Sequence, residues 1–340
     1  MNGTFLALGP NGFGPYRLAD GALVPAEGSP SHLLIPGFVD VHIHGAFGVD
    51  FMSASTDDLR RMLRGLADQG YEGLLPTTVT ASAADVRRAL DRLPEDPMVL
   101  GFHLEGPFIS PTFPGAQPKD AIAAVPGGPS EWDSVFDDPR LRLITLAPEL
   151  EGAHGLIRRL RERGVVVSMG HTNATFAEAS AGHSAGVTHA THTFNAMRPL
   201  HHREAGTVGF ALTQDGVSCE LIYDRLHVSP EAAAVLVRCK PSDRLVAVSD
   251  STLASGIPAG QTVQMWGLRA IVGAGQVRLP DGTLAGSAIT LLDAFRNLHA
   301  DFGPEVAIRA CCHNPRRVLG MDPWRPRTWV ELDPGLQIVH

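Results

Sequence analysis

The sequence predicts an α/β fold, a (β/α)₈ TIM-type barrel with a small β domain built from both ends of the chain. Eight apolar runs with the character of buried strands follow one another from Gly37 onward. Amphipathic segments with helical spacing separate most of these runs, at intervals of roughly 30 residues that suit a barrel. The 340 residues are enough for one large domain with a substantial core.

The eight runs are FVDVHIH, GLLPTTVT, PMVLGFHLEGP, LRLITLAPE, GVVVSMGHT, GVTHATHTFN, GVSCELIYD and DRLVAVSD. Nearly continuous apolar runs of this length are typical of parallel strands that are buried on both faces. A doubly wound sheet is the competing architecture. It would require a glycine-rich phosphate turn after its first strand, and HIHGAFG matches that fingerprint poorly.

The clearest helical segments are STDDLRRMLRGLADQG, SAADVRRALDRL and AHGLIRRLRERG. The first begins at Ser55 or Thr56, followed by acidic residues, and closes on Gly70. Hydroxyl side chains favour helix starts and glycine favours helix ends, so this segment is predicted to be a helix with defined boundaries.

The two ends of the chain differ from the middle. Residues 1–36 are rich in Gly and Pro and contain short strand-like pieces, and the final stretch TWVELDPGLQIVH is again strand-like. We therefore predict a small β domain formed by 1–36 plus 323–340 and a (β/α)₈ barrel formed by 37–322.

Composition excludes several classes of function. The chain is 44% hydrophobic and 19% charged, which is typical of a soluble globular protein, and its net charge of −8 argues against nucleic-acid binding. An anionic substrate would need a local positive cluster. No apolar window is long enough for a membrane span, and the four cysteines form no C-x-x-C pair. We expect reduced thiols and a cytoplasmic location.

Imidazoles and carboxylates stand where five of the predicted strands end. They are His42, His44, Glu105, His171, His192 and Asp250. Any one of them has an ordinary structural explanation; the H-x-H pair, for example, could be two core histidines with hydrogen-bond partners. A barrel, however, brings its strand ends into one ring, where catalytic residues collect.

The alternation of side chains along a strand selects among the histidines. His189 and His192 are three residues apart and face opposite ways, so His192, nearer the loop, is the better ligand. His189 is expected to be packed or exposed. His103 shares a face with Glu105 one layer deeper and suits a supporting partner, and Asp40 shares a face with His42.

Several neutral imidazoles and one carboxylate suit a borderline divalent ion, namely Zn²⁺, Fe²⁺, Mn²⁺ or Co²⁺. A metal with an open position lowers the pKa of bound water towards neutrality. Asp250 would then act as general base and afterwards as general acid. These parts predict metal-assisted hydrolysis of an amide, ester or imine.

Six segments taken together resemble the N-acetylglucosamine-6-phosphate deacetylases of the amidohydrolase superfamily. They are PGFVDVHIHG, HLEGPF, GHTNATF, HTFNAM, LHHREAG and VSD, and they span about Leu33 to Leu319 in order. The resemblance implies that Glu105, His171 and His192 hold the principal metal and that Asp250 is the catalytic acid/base. Some members lack the H-x-H pair, so His42 and His44, with Glu105 bridging, would create a second ion site.

The resemblance also implies a set of substrate contacts and a homodimer. The contacts are Asn195 and Ala196 for the sugar, Arg203 and His227 for the phosphate, Ala116 and Gln117, and the LAGS loop residues Leu284, Ala285 and Gly286. Part of the phosphate site is expected to cross the subunit interface. Gln117 stands where the family often has a carbonyl-polarising histidine, which predicts weaker polarisation of the acetyl group.

The predicted function is hydrolysis of N-acetylglucosamine 6-phosphate to glucosamine 6-phosphate and acetate, with one or two divalent ions per subunit, Zn²⁺ first among them. Another N-acyl amino-sugar phosphate, such as N-acetylgalactosamine 6-phosphate, is the alternative substrate. An inactive barrel that senses a sugar phosphate is a third hypothesis, which requires the loss of a ligand or of the acid/base.

Overall fold

A computed structural model describes residues 3–339 of the chain. The strands are β1 (Thr4–Gly9), β2 (Gly12–Ala19), β3 (Ala22–Pro25), β4 (Leu33–Pro36), β5 (Phe38–Ile43), β6 (Gly45–Ala46), β7 (Val49–Asp50), β8 (Tyr71–Pro76), β9 (Phe102–Glu105), β10 (Leu141–Leu146), β11 (Val166–Met169), β12 (His189–Ala190), β13 (Ser218–Ile222), β14 (Leu245–Val248), β15 (Thr262–Met265), β16 (Leu268–Val272), β17 (Gln276–Arg278), β18 (Leu284–Ser287) and β19 (Trp329–Leu332).

The helices are α1 (Thr56–Asp68), α2 (Ala83–Leu90), α3 (Asp133–Phe136), α4 (Ala153–Glu162), α5 (Phe176–Ala185), α6 (Gly206–Thr213), α7 (Pro230–Cys239), α8 (Leu291–Phe302), α9 (Pro304–Ile308) and α10 (Asn314–Val318). A 3₁₀ turn covers Lys119–Ala121 and a π-helical turn covers Arg309–His313. Within residues 3–339 no helix has the length and apolar character that crossing a membrane requires.

Eight parallel strands form the barrel, which confirms the predicted fold class. Strands β9 to β14 pair in chain order, and β5 pairs with β8. Parallel bridges join the two sheets, from Thr77 to His103 on one side and from Ile43 to Ser251 on the other. The barrel is therefore closed, and the ends of its strands meet in one ring.

The barrel interior is filled by apolar side chains. The buried cluster comprises Val39, Val41, Leu75, Leu143, Ile222, Val246, Val248 and Leu319. Strands β10 and β14 are not neighbours, so their side chains can meet only across the interior. Because the interior is packed rather than hollow, a ligand can reach polar groups only at an open end of the barrel.

Helix α1 shows how the outer layer is built. Ser55 caps it by accepting a hydrogen bond from the Asp58 N–H at 3.2 Å, and Gly70 follows with a φ of +82°. The buried face consists of Leu59, Met62, Leu63 and Leu66. This spacing places one stripe against the barrel, and burying each side chain stabilises the fold by about 1.5–3 kcal/mol.

Both ends of the chain contribute to a separate five-stranded sheet, in the order β19-β4-β1-β2-β3. Strand β19 runs antiparallel to β4, with Trp329 opposite Pro36. The small β domain made from both termini is thus present. Its exact limits, 1–36 plus 323–340 around a barrel of 37–322, stay a prediction, and Met1, Asn2 and His340 lie outside the described residues.

A buried ion pair fastens the segment before β19 to the barrel. The Glu72 carboxylate on β8 lies 2.8 Å from the Arg316 guanidinium on α10, and both side chains are at most 1% exposed. The same carboxylate oxygen accepts backbone N–H groups of Arg327 at 2.9 Å and of Thr328 at 3.0 Å. Glu72 therefore links strand β8, helix α10 and the segment that precedes β19.

A four-stranded antiparallel sheet, β15 to β18, is inserted between β14 and α8 and was not predicted. Its last strand docks on the end of β14, where the Ser287 N–H donates to the Asp250 carbonyl oxygen at 2.8 Å. Its first two strands are joined by the two-residue turn Trp266–Gly267. The inserted sheet therefore lies beside the ring of strand ends.

Candidate metal centre

The structure brings all six predicted metal and acid/base residues together at the ends of five barrel strands. His42 and His44 come at the end of β5, and Glu105 is the last residue of β9. His171, His192 and Asp250 each stand two positions beyond β11, β12 and β14. All six are buried. The barrel thus produces a compact cluster from residues up to 208 positions apart (His42 to Asp250).

Glu105 is the centre of this cluster. Its Oε1 lies 3.1 Å from His171 Nε2 and 3.3 Å from His192 Nε2. Its Oε2 lies 3.2 Å from His44 Nε2. Oε1 also lies 3.4 Å from His42 Nε2, so the Glu105 carboxylate contacts both histidine pairs.

Asp250 completes the side of the cluster that holds the H-x-H motif. Its Oδ1 lies 3.3 Å from His44 Nε2 and 3.5 Å from His42 Nε2. The ligand atoms form two sets, each spanning no more than 4.8 Å: His42, His44 and Asp250 in one, and Glu105, His171 and His192 in the other. Each set is small enough to surround a single ion.

The four imidazoles are held in one orientation by their outer nitrogens. Each Nδ1 faces an oxygen acceptor, so its proton is fixed there and the Nε2 lone pair points into the cluster. The pairs are His42 with Glu220 at 3.0 Å, His44 with the Thr77 carbonyl at 3.1 Å, His171 with the Phe113 carbonyl at 3.2 Å and His192 with the Asn195 carbonyl at 3.1 Å.

This donor set fits a divalent metal. His171 Nε2 and His192 Nε2 lie 3.0 Å apart, and His42 Nε2 and His44 Nε2 lie 3.3 Å apart. Two nitrogen lone pairs at such distances repel each other unless a cation lies between them. Nitrogens bound to one tetrahedral Zn²⁺ at 2.0–2.1 Å are about 3.3 Å apart, so the spacing matches a shared ion.

The backbone is strained at three of these positions. His171, His192 and Asp250 have φ values of +47°, +29° and +46°. Non-glycine residues rarely adopt this left-handed region, and each costs on the order of 1–3 kcal/mol. The left-handed backbone turns each side chain inward just beyond its strand. These three positions therefore lower the stability of the fold while they place the side chains in the cluster.

The carboxylates are stabilised in their charged form. Burial alone would raise the pKa of Glu105, but the charge on His42 and the adjacent imidazoles of His171 and His192 hold that pKa well below its usual range. Burial would also raise the pKa of Asp250, but the charges on His42 and His44 outweigh burial and lower that pKa.

The imidazoles respond to the same field in the opposite sense. Burial disfavours a charge on His44, yet Asp250 and Glu105 raise its pKa to about 9. The charges of Glu105 and Asp250 also outweigh burial at His42, whose pKa lies well above the usual value for histidine. The field that favours a proton on these nitrogens equally attracts a metal cation.

Glu220 on β13 is a functional residue that the sequence reasoning missed. Its Oε2 accepts from His42 Nδ1 and from the His192 backbone N–H, both at 3.0 Å. Its Oε1 accepts from His189 Nε2 at 3.0 Å. The signal was available, because a lone Glu within the apolar run GVSCELIYD must find partners once it is buried.

His103, predicted to support the ligands, and His189, expected to be packed or exposed, are both buried. His103 lies in a layer of hydroxyl groups, with Nε2 2.8 Å from Thr145 Oγ1 and Nδ1 3.3 Å from Thr77 Oγ1. His189 packs inside rather than at the surface and contacts Glu220. Asp40 accepts the His42 N–H at 3.3 Å, so it braces the strand that carries the motif.

A cavity of about 220 Å³ opens above the cluster. Its walls include most of the predicted substrate contacts: Ala116, Gln117, Asn195, Ala196, His227, Leu284 and Gly286. The His227 ring is fixed by Asp224, whose carboxylate lies 2.6 Å from Nδ1. The predicted phosphate and sugar contacts, drawn from distant segments, therefore share one space.

Two predicted contacts do not line this cavity. Arg203 is exposed, in a loop where its guanidinium lies 2.8 Å from His202 Nε2. Ala285 is fully buried in the core of the inserted sheet, between Leu284 and Gly286, which do line the cavity. On a strand, alternate residues face opposite sides, which accounts for the position of Ala285.

Gln117 is fixed against the cluster. Its Nε2 donates to Glu105 Oε2 at 2.7 Å, and its Oε1 accepts the Thr80 N–H at 2.7 Å. An amide nitrogen carries two hydrogens. One is used on Glu105, which leaves one for a substrate carbonyl, as the predicted weaker polarising role requires.

Comparison with known proteins agrees with this geometry. Residues 33–323 match the amidohydrolase family, and the chain belongs to that family. Membership implies a divalent metal at the cluster.

Individual relatives narrow the comparison. The chain is 35% identical to the N-acetylgalactosamine-6-phosphate deacetylase of Escherichia coli O157:H7, over 95% of this chain and 91% of that protein. It is 38% identical to the N-acetylglucosamine-6-phosphate deacetylase of Bacillus subtilis (strain 168), over 78% of this chain and 69% of that protein. The resemblance inferred from the six segments is confirmed.

A solved structure gives the same result for the fold. The N-acetylglucosamine-6-phosphate deacetylase of Thermotoga maritima superposes with a TM-score of 0.87 at 35% identity, covering 98% of this chain and 95% of that one. The barrel and the small β domain are thus shared along nearly the whole length.

Proposed function

We propose that this protein hydrolyses N-acetylglucosamine 6-phosphate to glucosamine 6-phosphate and acetate. The observation that carries the proposal is the convergence of four oriented imidazoles and two carboxylates beneath a cavity lined by the predicted sugar contacts. Relatives with this activity in their names cover most of the chain. An inactive sensor is disfavoured because no predicted ligand or acid/base is missing.

The cluster holds one or two divalent ions, with Zn²⁺ favoured by the nitrogen-rich ligands. A bound ion supplies Lewis-acid polarisation of the amide and lowers the pKa of water. Glu105, His171 and His192 are assigned to the principal ion. His42 and His44, with Glu105 bridging, are assigned to another, because the Glu105 carboxylate contacts both histidine pairs.

Asp250 moves the protons of the reaction. Its carboxylate takes a proton from water as the oxygen bonds to the amide carbon, and then delivers that proton to the nitrogen as the carbon–nitrogen bond breaks. Gln117 orients Glu105 and offers its remaining N–H to the acyl oxygen. Acetate and the free amine are the products.

The phosphate is assigned to His227 and Arg203, in a homodimer. His227 stands in the cavity wall, held by Asp224. Arg203 is exposed and outside the wall of its own cavity. This is the arrangement expected if each guanidinium serves the phosphate bound to a second copy of the chain. A planar guanidinium suits a phosphate dianion in an otherwise acidic protein.

We assign the protein to the cytoplasm. Cys219, Cys239, Cys311 and Cys312 are all free thiols, as in proteins kept reduced. A phosphorylated sugar also carries charges that keep it within the compartment where it is made.

Replacing Asp250 with Asn tests the mechanism. The variant keeps the size of the side chain but removes the proton acceptor, and kcat should fall at least about 100-fold, the usual contribution of a general base. Metal content, measured by elemental analysis, should remain at half the wild-type value or above. The exposed Asp215 replaced with Asn is the matched control. Turnover near wild type in the Asp250 variant would refute the mechanism.

N-acetylgalactosamine 6-phosphate is the second candidate substrate, because the E. coli deacetylase named for it aligns over 95% of this chain. The two sugars differ at one hydroxyl. Comparing kcat/KM for both decides between them, and a higher value for the galactosamine form would replace the first assignment.

A further inference from the structure

A second cavity lies beside the catalytic one, and one residue stands in the walls of both. This second cavity measures about 830 Å³ and extends between the inserted sheet, the loop after β8 and the segment around the 3₁₀ turn. Trp266 lines it together with Asp50 and Thr80, and Trp266 also lines the catalytic cavity. The indole therefore separates the two spaces.

Trp266 occupies a backbone position that tryptophan disfavours. It is the first residue of the two-residue turn between β15 and β16, with Gly267 second. Their φ values are +56° and +77°. Turns with two such residues normally use Asn, Asp or Gly, and a bulky side chain in this region costs roughly 1–2 kcal/mol.

The indole is partly buried against the metal cluster. Its ring lies 5.3 Å from the His44 ring, centre to centre, in an edge-on contact. Its Nε1 is buried and lies beside the Asp50 carboxyl, whose charged form it favours. A strained turn position held by an aromatic residue that contacts His44 indicates a role beyond forming a hairpin.

The contacts around the catalytic cavity set the direction of the substrate, on the proposed function. His227 lies in one part of the wall, and the amide must reach Asp250 and Glu105. The acyl oxygen is assigned to Gln117, whose Oε1 accepts the Thr80 N–H at 2.7 Å, so the acyl end lies on the side of the cavity that carries Thr80. Thr80 and Pro118 line the second cavity, as does Trp266, which contacts His44.

We propose that Trp266 closes the acyl end of the catalytic cavity and so restricts the enzyme to short N-acyl groups such as acetyl. The second cavity is the space that a longer acyl chain enters when the indole is absent. Trp266 thereby determines which N-acyl glucosamine 6-phosphates are hydrolysed. This assignment rests on the proposed deacetylase activity.

Replacing Trp266 with Asn is the sharpest test. Asparagine suits the turn and removes the indole, so the hairpin should be retained. Gln264→Ala is the matched control, since Gln264 lies on the same hairpin and lines the second cavity but not the catalytic one. For each enzyme, kcat/KM is measured with the N-acetyl, N-propionyl, N-butyryl and N-hexanoyl forms of glucosamine 6-phosphate.

We expect the N-butyryl to N-acetyl ratio of kcat/KM to rise at least tenfold in Trp266→Asn and to stay within twofold of wild type in Gln264→Ala. Equal losses on every substrate would mean that Trp266 only supports the fold, and would overturn the proposal. An unchanged ratio in an active Trp266→Asn enzyme would overturn it as well. Wild-type enzyme inactive on both N-acetyl hexosamine phosphates would overturn the proposed function, and this inference with it.

Discussion

The buried ion pair of Glu72 and Arg316 offers a direct measurement of how the terminal sheet is fastened to the barrel. The perturbation is Arg316→Met, which keeps the length of the side chain and removes its charge. It leaves the Glu72 carboxylate, 1% exposed, with only the more distant and half-exposed Arg327 guanidinium, whose Nε lies 3.6 Å from Oε1. It also removes the donors of two carbonyl oxygens, those of Cys312 at 2.6 Å and Gly37 at 2.9 Å.

The expected loss is large. Removing one partner of a buried pair costs about 3–5 kcal/mol, because the remaining charge is uncompensated. For 340 residues the unfolding entropy is roughly 0.7 kcal/mol per kelvin, so the Tm should fall by about 4–7 °C. The N–H groups of Arg327 and Thr328 still reach Glu72, which favours the lower half of that range.

Differential scanning calorimetry of three variants measures this loss. Arg316→Met combined with Glu72→Gln removes the stranded charge, so it should recover at least about 1 kcal/mol relative to Arg316→Met alone. Arg60→Met is the matched control, since Arg60 pairs with Asp57 on the open surface of α1, and its Tm should not change. A double variant less stable than Arg316→Met would refute the reasoning, because the stranded carboxylate would then not be the cause.

Three further outcomes are expected. Replacing both His42 and His44 with Asn should lower the metal-to-protein ratio, by elemental analysis, from two ions per chain to one, whereas an unchanged ratio would contradict the second ion site. Glu220→Gln should weaken metal binding 10- to 100-fold in a chelator competition, because it alters the acceptor that orients His42; affinity within twofold of wild type would count against that role. Asp138 lies beside Arg140 and Arg87; burial opposes its charge, but the hydrogen bonds from Arg140 lower its pKa from 3.8 to about 2. A lowered pKa adds stability above about pH 4 that disappears as the pH falls through 2, so the Tm difference between wild type and Asp138→Asn should vanish over that interval, and a difference that persists at pH 2 would contradict it.

The barrel and most of the cluster could be predicted because their signals are local. Each strand is a short apolar run, and each ligand stands at its end, so the strand count alone places the ligands in one ring. Ser55 and Gly70 marked the limits of α1 for the same reason, since caps depend on neighbouring residues.

What the sequence did not reveal depends on tertiary contacts. The inserted sheet has strands of only three to five residues, and only its LAGS segment was noticed, through the family resemblance. Glu220 acts by touching His42, 178 positions away, and Trp266 by standing between two cavities. Sequence periodicity does not predict contacts between residues that are so far apart in the chain.

The left-handed backbone at His171, His192 and Asp250 has a consequence for the protein's descendants. A duplicate copy released from catalysis would gain stability by accepting Gly or Asn at these positions, because both residues adopt that conformation at lower cost. Selection for folding alone would thus remove the three residues that the proposed chemistry requires. Their joint retention in a homologue is a mark of continuing use, and their replacement by Gly or Asn is the expected signature of a copy that has lost its reaction.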